Sequence, residues 1–274
     1  MLGMTVMVAR ELMQENAAVS GSLSEKAYIL IRTKILKGEF ALGAPLSRRK
    51  LATEFNMSFL PISEAIRRLE ADGLVESRPR VGTRVRVPSS QDVRDSYVIR
   101  EALETQSARM FCERAGPREK KELRVMATRL EDMIRLSDGQ GGSDFQFSIQ
   151  TLHLQFHMRI AECSGCVPLC ELLEKNHLLI FNWFYDVSAG SNMAPGRHEV
   201  LVRVLTGNNP DIAALEMGRH VRSGMEEIQG AIAARFGDFL ANLERPSSRP
   251  AAGATESTSS WRLHYARRHD GERK

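Results

Sequence analysis

A mostly α fold in two domains, with one small β-hairpin, is predicted by three features of the 274-residue sequence. Apolar residues recur at helical spacing in segment after segment, one short stretch near residue 85 alternates with period two, and charge divides sharply along the chain. Residues 21–88 hold 13 Lys and Arg against 7 Asp and Glu, whereas residues 89–244 hold 17 against 22. Domains of about 100–150 residues leave room for two of them and for tails. The expected organisation is a flexible segment over 1–20, a basic first domain over 21–88, an all-helical bundle over 89–238 and a disordered basic tail over 239–274. The tail is rich in Ser, Arg, Pro, Ala and Gly and lacks an apolar period.

Several classes of protein are excluded before any motif is read. No stretch approaches the roughly 20 apolar residues of a membrane span, and residues 1–20 lack the apolar core of a signal peptide, so a soluble, cytoplasmic protein is expected. Cys112, Cys163, Cys166 and Cys170 do not form the two separated CxxC pairs of a zinc ribbon. The lone Cys163-Ser164-Gly165-Cys166 lacks the strand pattern of a thioredoxin-like site, and reduced thiols are expected.

In the first domain, Ala27, Ile31 and Ile35 form a helical stripe between Ser22 and Leu36, closed by Gly38 as a C-terminal glycine. After a turn over Ala41–Pro45, Ser47 caps a short helix to about Phe55, with Leu51 and Ala52 inward and Arg48, Arg49 and Lys50 outward. A tight Asn56-Met57 connection leads to Ser58, which is expected to cap a second helix. Pro61 falls in the first turn of that helix, and Ile62, Ala65, Ile66 and Leu69 make its inner stripe. Two short helices so tightly joined predict a helix-turn-helix. The chain then runs through Val75 and turns at Pro79–Gly82. Thr83–Val87 alternates, with Val85 and Val87 on one face and Arg84 and Arg86 on the other. A basic hairpin beside two such helices is a wing, and the whole is a winged helix-turn-helix that binds double-stranded DNA.

These residues resemble the GntR family of bacterial regulators. Ile35-Leu36-Lys37-Gly38-Glu39, Leu46-Ser47, Leu51-Ala52, Pro61-Ile62-Ser63-Glu64-Ala65 and Arg68-Leu69-Glu70-Ala71-Asp72-Gly73-Leu74-Val75 follow its pattern in order. The resemblance and the basic cluster assign Arg48, Arg49, Lys50, Ser58, Phe59, Leu60, Ser63, Arg67, Arg68, Arg78, Arg80, Gly82 and Arg84 to the DNA interface. Family members often carry arginines where this chain has Phe59 and Ser63. Either Phe59 and Leu60 touch thymine methyl groups instead, or Phe59 packs against the turn.

Beyond Pro88-Ser89-Ser90, read as a hinge, Val93, Tyr97, Arg100, Leu103 and Glu104 begin a long helix. Pro117 opens another with Leu123, Met126, Leu130 and Met133. A Gly-rich break over 138–143 precedes a helix through His153 and His157. Further helices are expected over Pro168–Val187, Arg197–Leu205 and Pro210–Phe236.

His153 and His157 lie one helical turn apart and share a face that could chelate an ion, although an isolated pair is more often packing. This half resembles the FCD effector domain of FadR-like GntR regulators. There an Asp-x-x-Phe-His signature and two later histidines hold a divalent metal, and the matching residues here are His153, Phe156, His157, His198 and His220. The resemblance implies a divalent metal, and imidazole donors make zinc the first choice and nickel the next. His153 stands where the family has aspartate, so two outcomes are open: four imidazoles hold the metal, or affinity is lost. Arg100 matches an arginine that faces the effector cavity; it is either a clamp on a carboxylate or an ion-pair partner of Glu104. His177 has no motif match and is expected to be structural, and His264 and His269 fall in the tail.

The function these readings imply is a homodimeric, ligand-responsive transcriptional regulator, a repressor by resemblance, that answers a small carboxylate. A ligand-independent dimeric DNA-binding protein is the alternative. A zinc enzyme is disfavoured, because Leu154 follows His153 where HExxH needs its glutamate base, and no phosphate loop or nucleophile elbow is present.

Overall fold

The computed structural model describes residues 22–79, 81–137, 143–187 and 195–244. Helix α1 (Leu23–Leu36) starts at Ser22, whose hydroxyl accepts from the Glu25 N–H, and buries Ala27, Tyr28, Ile31, Ile35 and Leu36. Ser47 likewise accepts from Lys50 and opens α2 (Arg48–Glu54). Asn56 takes the left-handed conformation at φ 52°, which lets the chain reverse into α3 (Phe59–Ala71). Pro61, Ile62, Ala65, Ile66 and Leu69 are the buried face of α3. Ser58 stands at the N-cap position without a side-chain cap hydrogen bond, so the expected cap is a backbone position only.

The small sheet has three strands, where the sequence predicts two. β2 (Val75–Arg78) and β3 (Gly82–Val85) form the hairpin, in register from Val75 opposite Val85 to Arg78 opposite Gly82. β1 (Pro45–Leu46) adds antiparallel to the far edge of β3. A two-residue strand beginning with proline, inside a stretch that reads as a turn, has no period to reveal it. β3 stops at Val85 rather than Val87 because the Leu74 N–H turns back to the Leu69 carbonyl, so the Arg86 N–H bond to the Leu74 carbonyl has no reciprocal partner.

The expected hinge is instead a structured helix start. Ser89 and Asp92 form a reciprocal capping box, Arg86 pairs with Asp92, and α4 (Ser90–Arg114) begins at once. The bundle continues with α5 (Pro117–Ser137), α6 (Ser143–Cys163), α7 (Val167–Val187), α8 (Arg197–Leu205) and α9 (Pro210–Glu244). The last helix runs eight residues past Phe236. The inner face of α5 is Leu123, Ala127, Leu130, Glu131 and Ile134, rotated from the expected stripe so that Met126 and Met133 are only half-buried.

The two domains share packing. Leu36, at the end of α1, is fully buried in a cluster with Leu154, Met158 and Ala161 of α6 and Leu169 and Leu173 of α7. Gly73 holds φ +77°, and a Cβ there would meet Leu179 of α7 and Arg86, each at 3.4 Å. The turn after α3 therefore sits directly on α7. The N-terminal segment, the tail with His264 and His269, and the Gly-rich break over 138–142 lie outside the described residues.

Candidate metal centre and DNA interface

Three helices bring four imidazoles to one point. The one-turn spacing of His153 and His157 sets both on the inner face of α6, His198 is the second residue of α8, and His220 faces inward from α9. One ligating nitrogen from each lies within 4.8 Å of all the others. His157 Nε2 is 2.9 Å from His153 Nε2 and 3.2 Å from His220 Nε2. A tetrahedron with metal–nitrogen arms of about 2.0–2.1 Å has edges of about 3.3–3.4 Å. The side chains are therefore already close to a chelating arrangement. His198 Nε2 is buried with no hydrogen-bond partner among the described residues, a polar atom aimed at the same centre. An all-imidazole donor set suits zinc or nickel.

Electrostatics favour the ligating form. Burial holds His153 and His220 well below the usual imidazole range, lowers His198, and brings His157 down to about 4. Neutral imidazole is the species that donates a lone pair to a metal.

Two carboxylates orient the rings from behind. Glu104 Oε2 lies 2.5 Å from His157 Nδ1, while its Oε1 meets Arg100 Nε at 2.5 Å and His177 Nε2 at 3.0 Å. Glu131 Oε1 accepts from the His198 backbone N–H at 2.9 Å and meets its Nδ1 at 2.8 Å, and Oε2 accepts from the Gly196 N–H. Burial pushes Glu131 up, but these hydrogen bonds outweigh it and hold the carboxyl at about 2. Burial likewise opposes ionisation of Glu104, yet Arg100 and then His157 keep it well below the carboxylate range. A carboxylate on Nδ1–H leaves Nε2 as the lone-pair donor toward the centre. Glu131→Gln is accordingly expected to lower metal affinity about 10–100-fold, measured by competition with a chromophoric chelator; unchanged affinity would show that the carboxylate does not orient His198.

The centre adjoins a cavity lined by Arg100, His153, Arg197, His198, His220, Gly224 and Glu227. Its interior space is about 10 Å³, room for one water or one ion. Of the two expectations for Arg100, the ion pair with Glu104 is observed. Arg100 also lines the cavity, with Nη2 3.3 Å from His157 Nε2 and Nη1 3.4 Å from the Tyr97 hydroxyl.

The basic surface of the first domain divides into paired and unpaired cations. Arg48, Arg49, Lys50 and Arg67 form no ion pair among the described residues, and all but Arg48 are exposed. Phe59 and Leu60 project from the first turn of α3 at 56% and 64% exposure, so Phe59 does not pack away against the turn. Other assigned residues are engaged elsewhere. Arg68 pairs with Glu25 and lies 3.8 Å over the Tyr28 ring. Arg84 is half-buried, with Nε 2.5 Å from Glu76, and Arg78 Nη2 is 3.4 Å from the same carboxylate. The Ser63 hydroxyl oxygen is buried without a partner among the described residues, which turns it away from the surface. Gly82 is exposed at φ +100° in the wing turn. Arg80 lies outside the described residues.

Sequence reasoning did not single out Glu131, Arg197 or Glu227. Glu131 had one readable signal, since it falls four residues after Ala127 on the buried face of α5, where an acidic residue requires a partner. Arg197 and Glu227 carry no local signal. Their meaning comes from the cavity that both of them line.

Comparison with known proteins agrees with both halves. Residues 23–85 match the model of bacterial regulatory proteins of the gntR family, and residues 95–223 match the FCD domain. A protein of Paenarthrobacter nicotinovorans described as a probable D-xylose utilization operon transcriptional repressor is 29% identical over 192 residues, 69% of this chain and 80% of that protein. The HTH-type transcriptional repressor RspR of Escherichia coli (strain K12) is 34% identical over 87 residues, 32% of this chain and 38% of that protein. A crystal structure of a GntR transcriptional regulator from Rhodococcus sp. RHA1 superimposes with a TM-score of 0.64 at 20% identity, covering 77% of this chain and 99% of that one, a likeness of fold. With a winged helix-turn-helix and a helical domain that match the two models in order, this chain belongs to the GntR family of bacterial transcriptional regulators, in the group that carries an FCD domain.

Proposed function

We propose that this regulator is a homodimeric, cytoplasmic repressor whose operator affinity is set by a small carboxylate effector beside a divalent metal. His153, His157, His198 and His220 hold the ion, zinc in first place and nickel next. The observation that carries this reading is the convergence of four neutral imidazoles on one buried centre beside a cavity that Arg100 also lines, in a chain whose other half is a DNA-binding module. A bound dication supplies positive charge at the cavity wall, and coordination of His157 Nε2 leaves Arg100 Nη2 to donate to a carboxylate. Repression as the direction follows the relatives described as repressors. At the DNA, Arg48, Arg49, Lys50 and Arg67 meet phosphates while Phe59 and Leu60 enter the major groove at the N-terminus of α3.

The first experiment is metal analysis of the purified, untagged protein, followed by DNA affinity as carboxylates are added. A coupling of about 1–3 kcal/mol between the sites corresponds to about 5–150-fold in affinity. Stoichiometric metal and an effect of that size support the reading. DNA binding that no acid alters would instead leave a ligand-independent DNA-binding protein. Arg67→Glu tests the interface: affinity should fall across sequences, and the slope of log K against log salt should flatten by about 1 for each phosphate that is no longer neutralised. An unchanged slope would remove Arg67 from the interface.

A further inference from the structure

The rim of the same cavity holds an ion pair that neither the metal nor Arg100 accounts for. Arg197 opens α8 beside His198, and Glu227 lies on α9 one turn after Gly224. Both line the cavity and they pair with each other, Arg197 Nη1 to Glu227 Oε1. Their side chains are 19% and 28% exposed, against 3% for Arg100 beneath them. The pair therefore stands between the buried centre and solvent. Arg197 also reaches inward, with Nη2 3.4 Å from the His220 carbonyl.

The size of the cavity limits how a ligand can enter. With the pair closed, the interior admits one water or one ion. A small organic acid can enter only by taking the place of a group already there. Glu227 is the only carboxylate among the described lining residues, and it occupies a guanidinium at the rim. A single carboxylate placed on Arg100 would leave the rim pair intact and the cavity closed. A second carboxylate on the same molecule can replace Glu227 on Arg197, because guanidinium binds any carboxylate of suitable reach through the same paired N–H donors.

We propose that Glu227 stands in for an acidic group of the effector and that Arg197 is the second arm of a two-point anion site whose first arm is Arg100. The effector is accordingly a small dicarboxylic acid. This rests on the carboxylate pocket proposed above and adds its number of charges and a specificity-determining residue.

The test uses the full-length, metal-loaded protein with succinate and butyrate as probes, which share a four-carbon chain and differ by one carboxylate. Calorimetric titration should show succinate binding about 10–100-fold tighter than butyrate, the range expected for one charge-assisted hydrogen-bonded pair. Arg197→Gln should abolish that preference. Glu227→Gln, which removes the competing charge, should raise succinate affinity, a gain that misfolding cannot produce. Equal affinity for the two acids in the wild type, or a preference that survives Arg197→Gln, overturns the second arm and leaves the carboxylate pocket standing. Binding of neither acid overturns the pocket and the second arm together.

Discussion

Protein in which His157 is replaced by Ala is expected to purify without stoichiometric divalent metal, whereas the wild type retains it. His157 is the middle member of the cluster, with Nε2 2.9 Å from His153 and 3.2 Å from His220. Its removal takes away one of four donors and frees Glu104 from the ring it orients. The expected fall in metal affinity exceeds the roughly 10–100-fold of an outer-shell change, because a direct ligand is gone. Thermal unfolding gives a second readout. At a free metal concentration of 100 times Kd, binding stabilises the folded state by about 2.7 kcal/mol, so added metal should raise the wild-type midpoint and leave the variant where it was. The variant also has a new cavity and a buried carboxylate with one partner fewer, which lowers its stability without metal. The metal-dependent increment, measured with and without chelator, is therefore the diagnostic quantity. An equal increment in both proteins would place the ion elsewhere.

Leu36→Ala is expected to destabilise the protein by about 2–5 kcal/mol, the range for truncating a fully buried leucine. Leu36 belongs by sequence to the DNA-binding module, yet its side chain packs with Leu154, Met158, Ala161, Leu169 and Leu173. The residue is a peg from α1 into the bundle, close to α6, which carries His153 and His157. Denaturant unfolding followed by circular dichroism reads the destabilisation, and a cost below about 1 kcal/mol would show that the domains do not pack this way in solution. Where the packing holds, the variant should also bind DNA with a weakened response to metal or acid, since the Leu36 peg and Leu179 on Gly73 are routes by which movement of α6 or α7 reaches the winged helix.

Much of the fold was legible from single segments. The α3 stripe of Ile62, Ala65, Ile66 and Leu69, the Ser47 cap, and the alternation at Val85 each depend on neighbours within a turn or two. A local pattern of that kind survives without knowledge of the rest of the chain. The pairing of His153 with His157 was legible for the same reason, whereas His198 and His220 were placed by resemblance. The Pro88–Ser90 segment shows the limit, since Pro and Ser read as a hinge until Asp92 is seen to complete a capping box.

The sequence alone was sufficient for the fold class, the basic first domain and the shared face of His153 and His157, because helical period, turn residues and net charge are properties of contiguous residues. Packing determined what those residues meet. Glu131 reaches His198 across 67 positions and Glu104 reaches His157 across 53, while Arg68 and Arg84 are turned to acidic partners and Arg67 is left exposed. Such pairings are set by which helix faces press together. An arginine has the same charge in the sequence whether it ends beside a carboxylate or in water, and only the surrounding helices make the difference.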